Sequence, residues 1–327
     1  MESHNDENLL QSIAGLQTRI NEQLHKRIIG QENTLDLLLV ALLSGGHCLV
    51  TGVPGLAKTL LVKSLAEAME LNFSRVQFTP DLMPSDITGT EVIEEDRATG
   101  RRAFSFVKGP IFTGLLLADE VNRTPPKTQG ALLQAMQEYQ VTVMGKTYPI
   151  EPPFHVLATQ NPIEQEGTYP LPEALLDRFL LGINMEYPSR EEEASIVRLR
   201  RTDQPTLEAI VKRSELLEAQ DMVDRVPVAD HVVDFVVRLV RATRPGPDAP
   251  AFINDFLSWG AGPRAAQNLL TSAKARALLE GQPSPRVEHV VAMATAVLNH
   301  RLVLNFRAES ERVQEEQIIN ELVKSIG

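Results

Sequence analysis

Residues Gly52-Val53-Pro54-Gly55-Leu56-Ala57-Lys58-Thr59 match G-x-x-x-x-G-K-[ST] at every position but one. That pattern belongs to loops whose backbone N–H groups cradle phosphates. Lys58 would reach the β- and γ-phosphates, the Thr59 hydroxyl would ligate Mg²⁺, and the following helix would add the positive end of its dipole. Ala57 stands where the second glycine is expected, which is acceptable if its backbone is already helical there. Some sixty residues on, the apolar run Leu115-Leu116-Leu117-Ala118 ends in Asp119-Glu120. Asp119 can hold the hydration shell of Mg²⁺, and Glu120 can polarise an attacking water. Alone, two acids after an apolar strand also fit a solvated strand end.

Three further residues have weaker local signals. Asn161 follows the apolar FHVLATQ and could position a water or sense a γ-phosphate, or simply start a turn with Pro162. Arg178 closes LPEALLDR, where its rigid fork of donors would suit a neighbour's γ-phosphate. The alternative is an ordinary helix-terminal arginine beside Asp177. Arg264 follows Pro263, a residue suited to the first position of a helix. A cation in a first turn opposes the helix dipole, so a compensating anion is expected there, for which a bound phosphate would serve.

The elements that must position these residues show in the periodicity. Leu9, Ile13, Leu16, Ile20 and Leu24 predict a helix over 9–29, stopped by Gly30, and a second helix runs over 31–43. His47–Val50, Arg75–Phe78, Leu115–Asp119 and Phe154–Thr159 read as buried strands alternating with helices, which implies a mostly parallel α/β sheet. Residues 90–107, with a turn near Arg97 to Gly100, and residues 141–150, around Gly145-Lys146, read as hairpin insertions. Beyond Tyr187 the pattern becomes helical. A capping box at Ser189 and Glu192 opens a helix to about Arg201, and residues 228–244, 263–281 and 286–302 follow with helical spacing. No strand is expected after Leu181. The reading is an α/β domain over 1–187 followed by an all-helical domain over 188–327.

With 327 residues the chain is long enough for two domains, and its 43% hydrophobic and 23% charged content excludes a disordered polymer. A lone cysteine excludes a disulfide framework, and the seven histidines show no metal-ligand spacing. His47 and Cys48 read as core residues. No apolar run approaches membrane-spanning length and the N-terminus carries acids rather than a signal peptide, so a cytoplasmic protein is expected. The net charge of −11 argues against a general nucleic-acid coat. It is uneven: residues 1–187 hold 14 basic and 23 acidic side chains, net −9, and the rest hold 18 and 20, net −2.

Together these motifs resemble the AAA+ ATPases, and among them the MoxR family, with the match spread over Ile29 to Leu181 and recurring at SWGAGPRA in the C-terminal part. Alanine at position 57 is usual in that family's loops. The resemblance implies a P-loop NTPase sheet domain with a helical lid. It implies a Walker A loop at Gly52–Thr59, Walker B acids at Asp119 and Glu120, sensor 1 at Asn161, an arginine finger at Arg178 and sensor 2 at Arg264. The catalytic set would be Lys58, Glu120, Asn161, Arg178 and Arg264. Nucleotide contacts would come from Ile29, Gly30, Gly52, Val53, Pro54, Gly55, Leu56, Ala57, Lys58, Thr59 and Leu60, and Mg²⁺ ligation from Thr59 and Asp119. Residues 90–107 would be the helix-2 insert and 141–150 the pre-sensor hairpin. The implied activity is Mg²⁺-dependent ATP hydrolysis that drives chaperone-like remodelling or maturation of proteins. The implied partners are copies of the chain in a ring, commonly a hexamer, and a protein with a von Willebrand factor A domain.

Three other readings compete. A nucleic-acid motor would use the same insertions, with Arg101, Arg102, Lys108 and Lys146 lining a pore, but the −9 charge of the sheet domain opposes it. A nucleotide-gated binding module would not need the full hydrolytic set. A magnesium-chelatase-like subunit shares the architecture, though GVPGLAKT looks more like MoxR.

Overall fold

The computed structural model describes residues 2–95, 102–164, 167–199 and 205–326. Helices α1 (Glu2–Ala14), α2 (Leu16–Leu24) and α3 (Glu32–Leu43) precede the first strand. The single N-terminal helix expected over 9–29 is therefore two, interrupted at Gly15, and it stops at Leu24 rather than Ile29. The predicted apolar stripe survives the break: Ile13, Leu16, Ile20 and Leu24 are all buried.

The sheet domain then follows as β1 (Cys48–Thr51), α4 (Lys58–Ala68), β2 (Phe73–Gln77), α5 (Pro84–Thr88), β3 (Gly89–Glu95), β4 (Arg102–Lys108), β5 (Leu115–Asp119), α6 (Pro126–Glu138), β6 (Gln140–Val143), β7 (Lys146–Pro149), β8 (His155–Gln160), α7 (Glu173–Leu176) and β9 (Leu181–Asn184). Five strands form one parallel sheet in the order β2-β5-β8-β1-β9. The inner strands β5 and β8 are nearly wholly buried, which explains their unbroken apolar runs. Burying each leucine of β5 contributes about 1.5–3 kcal/mol. Strand β9 begins at Leu181, where no strand was expected to follow. It is a four-residue edge strand containing Gly182 and Asn184, a composition with little strand signal of its own.

Both insertions are hairpins. β3 pairs antiparallel with β4, and the expected turn at Arg97 to Gly100 lies outside the described residues. β6 pairs with β7 around Met144-Gly145, both left-handed, which places the turn one residue earlier than expected. The hairpins pack together: Lys146 Nζ donates to Glu91 Oε1 at 2.7 Å, and Phe106 stacks on Tyr148 with ring centroids 3.8 Å apart.

Beyond β9 come α8 (Arg190–Arg198), α9 (Arg213–Arg225), α10 (Asp230–Ala242), α11 (Ala251–Phe256), β10 (Leu257–Trp259), α12 (Pro263–Leu279), α13 (Val287–Leu298), β11 (Val303–Leu304), α14 (Phe306–Glu311) and α15 (Glu315–Ile326). The expected capping box is present: Ser189 Oγ accepts from Glu192 N at 3.3 Å, and Glu192 Oε2 accepts from Ser189 N at 2.6 Å. This region is not purely helical, because β10 and β11 form a short antiparallel ribbon. One apolar cluster runs from Ile13 through α3, α4 and β1 into α9, α10, α12, α13 and α15, so the lid and one face of the sheet share a continuous core. A second cluster on the other face joins α5, α6, β5 and β8. No described helix is long and apolar enough to cross a membrane.

Candidate functional site

The predicted site residues divide between the two edges of the sheet. Register fixes the division. Strand β1 pairs Thr51 with Gln160 of β8 and Asn184 of β9, and β2 pairs Gln77 with Asp119. The phosphate-type loop, Asp119, Glu120 and Asn161 therefore all leave the C-terminal edge. At the other end Cys48 pairs with Leu181, three residues after Arg178, and Leu180 N donates to His47 O at 2.7 Å. Arg178 accordingly lies at the N-terminal edge. The four residues of β1 separate the two edges by about 10 Å at a rise near 3.3 Å per residue.

At the C-terminal edge, Gly55 and Ala57 both take positive φ, +90° and +56°. Ala57 is thus left-handed, not already helical as the sequence reading required. The loop keeps the conformation that a glycine would supply, at a cost of about 1–2 kcal/mol for the Cβ. Ala57 caps α4, and Leu61 N is bonded to Ala57 O, so helix geometry leaves the amides of Lys58, Thr59 and Leu60 without intrahelical acceptors. These are donors for an anion at a helix N-terminus. Lys58 Nζ donates to Gly52 O at 2.5 Å and to Val53 O at 3.2 Å. Burial lowers the Lys58 pKa, and Asp119 and Glu120 act against that shift.

The two acids are held differently. Asp119 is buried; its Oδ1 accepts from Thr159 Oγ1 at 2.5 Å, and its Oδ2 takes both Nη2 and Nε of Arg75 at 2.7 and 3.1 Å. Glu120 is left-handed, with φ +58°, and its amide donates to Thr159 Oγ1 at 2.9 Å. This tilts its side chain out of the strand, where Oε2 accepts from Gln77 Nε2 at 2.7 Å and Arg123 Nη1 at 3.1 Å. Sequence reasoning missed Arg75, Gln77, Arg123 and Thr159. The first two sit at alternate positions of β2, but only the β2–β5 register shows that they face the acids.

Asn161 follows the residue whose carbonyl accepts Gly52 N at 3.2 Å. Its Oδ1 accepts from Ile163 N at 3.2 Å, as a turn starter's would. Its Nδ2 is buried and has no acceptor among the described residues. One atom of Asn161 therefore builds the turn, while the other has no partner among the described residues, which is costly for a buried amide donor. Gly30, φ +69°, packs where an added Cβ would lie 2.2 Å from Glu192 Oε1, and Gln31 Nε2 donates to Glu186 O at 3.0 Å. Met185, next to Glu186, packs on Gly52. The Ile29-Gly30 turn thus lies near the phosphate-type loop, linked to it through Met185 and Glu186 just after β9.

At the N-terminal edge, Arg178 and Arg264 line one cleft of about 320 Å³ with Gly45, His47, Tyr139 and Asp224. Arg178 Nε is buried with no acceptor among the described residues. Burial lowers the Arg178 pKa, with the Arg264 charge adding to the shift. Arg264 is in the first turn of α12 as expected, but its compensating anion is a side chain: Nη1 lies 3.4 Å from Asp177 Oδ2. The structure therefore brings Arg264 to Arg178, not to the loop containing Lys58. The basic residues proposed for a nucleic-acid pore are otherwise engaged. Arg102 pairs with Glu95 at 3.1 Å, Lys146 with Glu91 at 2.7 Å, and Lys108 lies over the Phe112 ring, while Arg101 falls outside the described residues.

Two family models match parts of the chain. Residues 47–181 match the model of the ATPase family associated with various cellular activities, and residues 252–322 match that of the AAA lid domain. Chaperone MoxR1 of Mycobacterium tuberculosis is 43% identical over 308 residues, 93% of this chain and 80% of that protein. Protein MoxR of Methylorubrum extorquens is 29% identical over 326 residues, 94% of this chain and 92% of that protein. The crystal structure of a Cytophaga hutchinsonii protein taken to be an ATPase superposes with a TM-score of 0.89 at 40% identity, covering 99% of this chain and 98% of that one.

Proposed function

This chain belongs to the MoxR family of AAA+ ATPases, and from that premise we propose that it is an ATP hydrolase whose active site is completed by a neighbouring copy in a ring. The observation that carries the reading is the separation of the two half-sites. Lys58, Asp119, Glu120 and Asn161 leave one edge of the sheet, while Arg178 and Arg264 share a cleft at the other. A rigid arginine at the far edge cannot serve its own chain's loop, but it can serve the next chain's.

In this reading the amides of Lys58, Thr59 and Leu60 and the Lys58 ammonium hold the phosphates. Thr59 and Asp119 would hold Mg²⁺, which supplies charge neutralisation on the phosphate oxygens. Gln77 and Arg123 orient the Glu120 carboxylate, the group that accepts a proton from the attacking water. The spare Nδ2 of Asn161 donates to that water or to the terminal phosphate. Arg178 and Arg264 of the adjacent copy neutralise charge that develops on the transferred group. Remodelling of a client protein is the use of this turnover suggested by the chaperone name of the mycobacterial relative. The net charge of −9 over residues 1–187 favours a protein client over nucleic acid. A Glu120→Gln chain should bind ATP with unchanged affinity and lose turnover. Normal turnover in that variant would remove Glu120 from the mechanism.

A further inference from the structure

Arg301 follows α13 and is buried, at 6% exposure, yet it lies outside every motif in the sequence. Its Nε donates to Asp177 Oδ1 at 3.1 Å, and its Nη2 to Phe179 O at 2.5 Å and Asp177 O at 3.3 Å. Its Nη1 faces Leu180 O at 3.4 Å and the Val297 carbonyl. One lid side chain thus holds the main chain on both sides of Arg178. The free oxygen of the same carboxylate, Asp177 Oδ2, faces Arg264.

The neighbours of Arg301 fix its orientation. Asn299 Nδ2 donates to Gly182 O at 2.9 Å, which leaves Asn299 Oδ1 to accept from His300 Nδ1 at 2.9 Å. His300 Nε2 lies between Arg301 Nη1, at 2.7 Å, and Phe179 O, at 3.1 Å; in a neutral ring with Nδ1 donating it accepts from the guanidinium and makes no bond to the carbonyl. Burial holds His300 well below its usual pKa, with the Arg301 charge acting the same way. The chain of bonds runs from β9 through Asn299 and His300 to Arg301 and Asp177. A side chain at Gly182 would break it, because an added Cβ would lie 2.4 Å from Asn299 Oδ1.

We propose that Arg301 is a positioning residue that ties the segment Asp177–Leu180 to the lid and so sets Arg178 directly, and Arg264 through Asp177, as one unit. The proposal rests on the reading of Arg178 as a cation acting on a neighbour's nucleotide. It implies that lid movement and placement of the arginines are a single event. An ordinary buried arginine would stabilise the fold without any special coupling to Arg178.

A double-mutant cycle separates the two. In the wild-type background Arg301→Lys, which keeps the charge but loses the fork, should lower kcat about 10- to 100-fold, as sub-ångström to ångström misplacement of a catalytic group does. The KM for ATP, the affinity for a fluorescent ATP analogue and the assembly state should be unchanged. In an Arg178→Ala background the same substitution should cost at most a few-fold. An equal loss in both backgrounds, or none in the wild type, would overturn the proposal. If Arg178→Ala itself leaves kcat unchanged, the reading of Arg178 fails instead. Asp177→Asn, which keeps the Arg301 bonds to the carbonyls of Asp177, Phe179 and Leu180, provides a second cycle should the lysine variant not fold. It should show a smaller loss that disappears in an Arg264→Ala background, and persistence of that loss there would contradict the proposal.

Discussion

The two edges of the sheet are built by different means. At the C-terminal edge the chemistry comes from consecutive residues: eight in the phosphate-type loop, two acids at the end of β5, one amide after β8. At the N-terminal edge it comes from residues far apart in the chain, Arg178, Arg264 and Arg301, brought together by lid packing. The first edge is therefore set mainly by local backbone conformation. The second depends on where the lid sits.

The largest expected effect is at the C-terminal edge. Asn161→Ala removes the spare Nδ2 and should lower kcat about 10²-fold, comparable to loss of one preorganised donor, while the melting temperature falls only by the loss of the Oδ1 bond from Ile163 N. Steady-state kinetics beside a thermal melt checks this. A large drop in stability with kcat intact would reassign Asn161 to the turn alone. Next in size is Gly182→Ala, which pushes a methyl group into Asn299 and His300. It should destabilise the protein by about 1–3 kcal/mol, as overpacking does, and lower kcat while leaving ATP affinity unchanged. Loss of ATP binding with intact kcat would mean that the edges are not independent.

Acid should act on the N-terminal edge first. Burial depresses His47 to about 3 and His155 to about 4, from 6.5, and holds His300 low as well. His47 lines the arginine cleft, and His155 Nδ1 faces Gly46 O at 2.9 Å. Because the folded pKa values are depressed, the unfolded chain binds protons first. The stability contributed by these neutral histidines is present above 6.5 and is lost as pH falls through about 4 and 3. The melting temperature should fall progressively below pH 6.5, more steeply than in a His47→Gln variant that still folds. A flat profile down to pH 4 would contradict the assignment.

The smallest effect belongs to Ala57→Gly. Relief of the left-handed alanine should raise stability by about 1 kcal/mol, less the entropy that glycine adds to the unfolded chain, with turnover retained. Destabilisation measured by denaturant titration would show that the Ala57 methyl group packs usefully.

The same contrast explains what could be read from the sequence. The loop, the strand ending in Asp119 and Glu120, the hairpins and the Ser189 capping box were legible because each is specified within a short window of chain. The left-handed backbone of Ala57 was not, because alanine in the glycine position suggests a helical residue unless the loop geometry is known. Gly15 looked too isolated to divide a helix whose apolar stripe continues across it. Strand β9 is short, and the β10–β11 pair joins residues more than forty positions apart. Arg75 and Gln77 acquire meaning only through register with β5, and Arg301 only through bonds to residues more than 120 positions away. Arg264 lies in a helix first turn as its sequence indicates, but its pairing with Asp177 at 3.4 Å joins residues 87 positions apart and shows only in the fold.

The central claim is that the two edges complete each other between copies. It is tested most directly by mixing two inactive chains, Glu120→Gln with intact arginines and Arg178→Ala with intact acids, and measuring ATP turnover against each alone. With random assembly around a ring, about one interface in four pairs a working loop with a working arginine. Turnover should recover toward a quarter of the wild-type rate. A mixture that co-assembles but stays as inactive as its components would contradict the account.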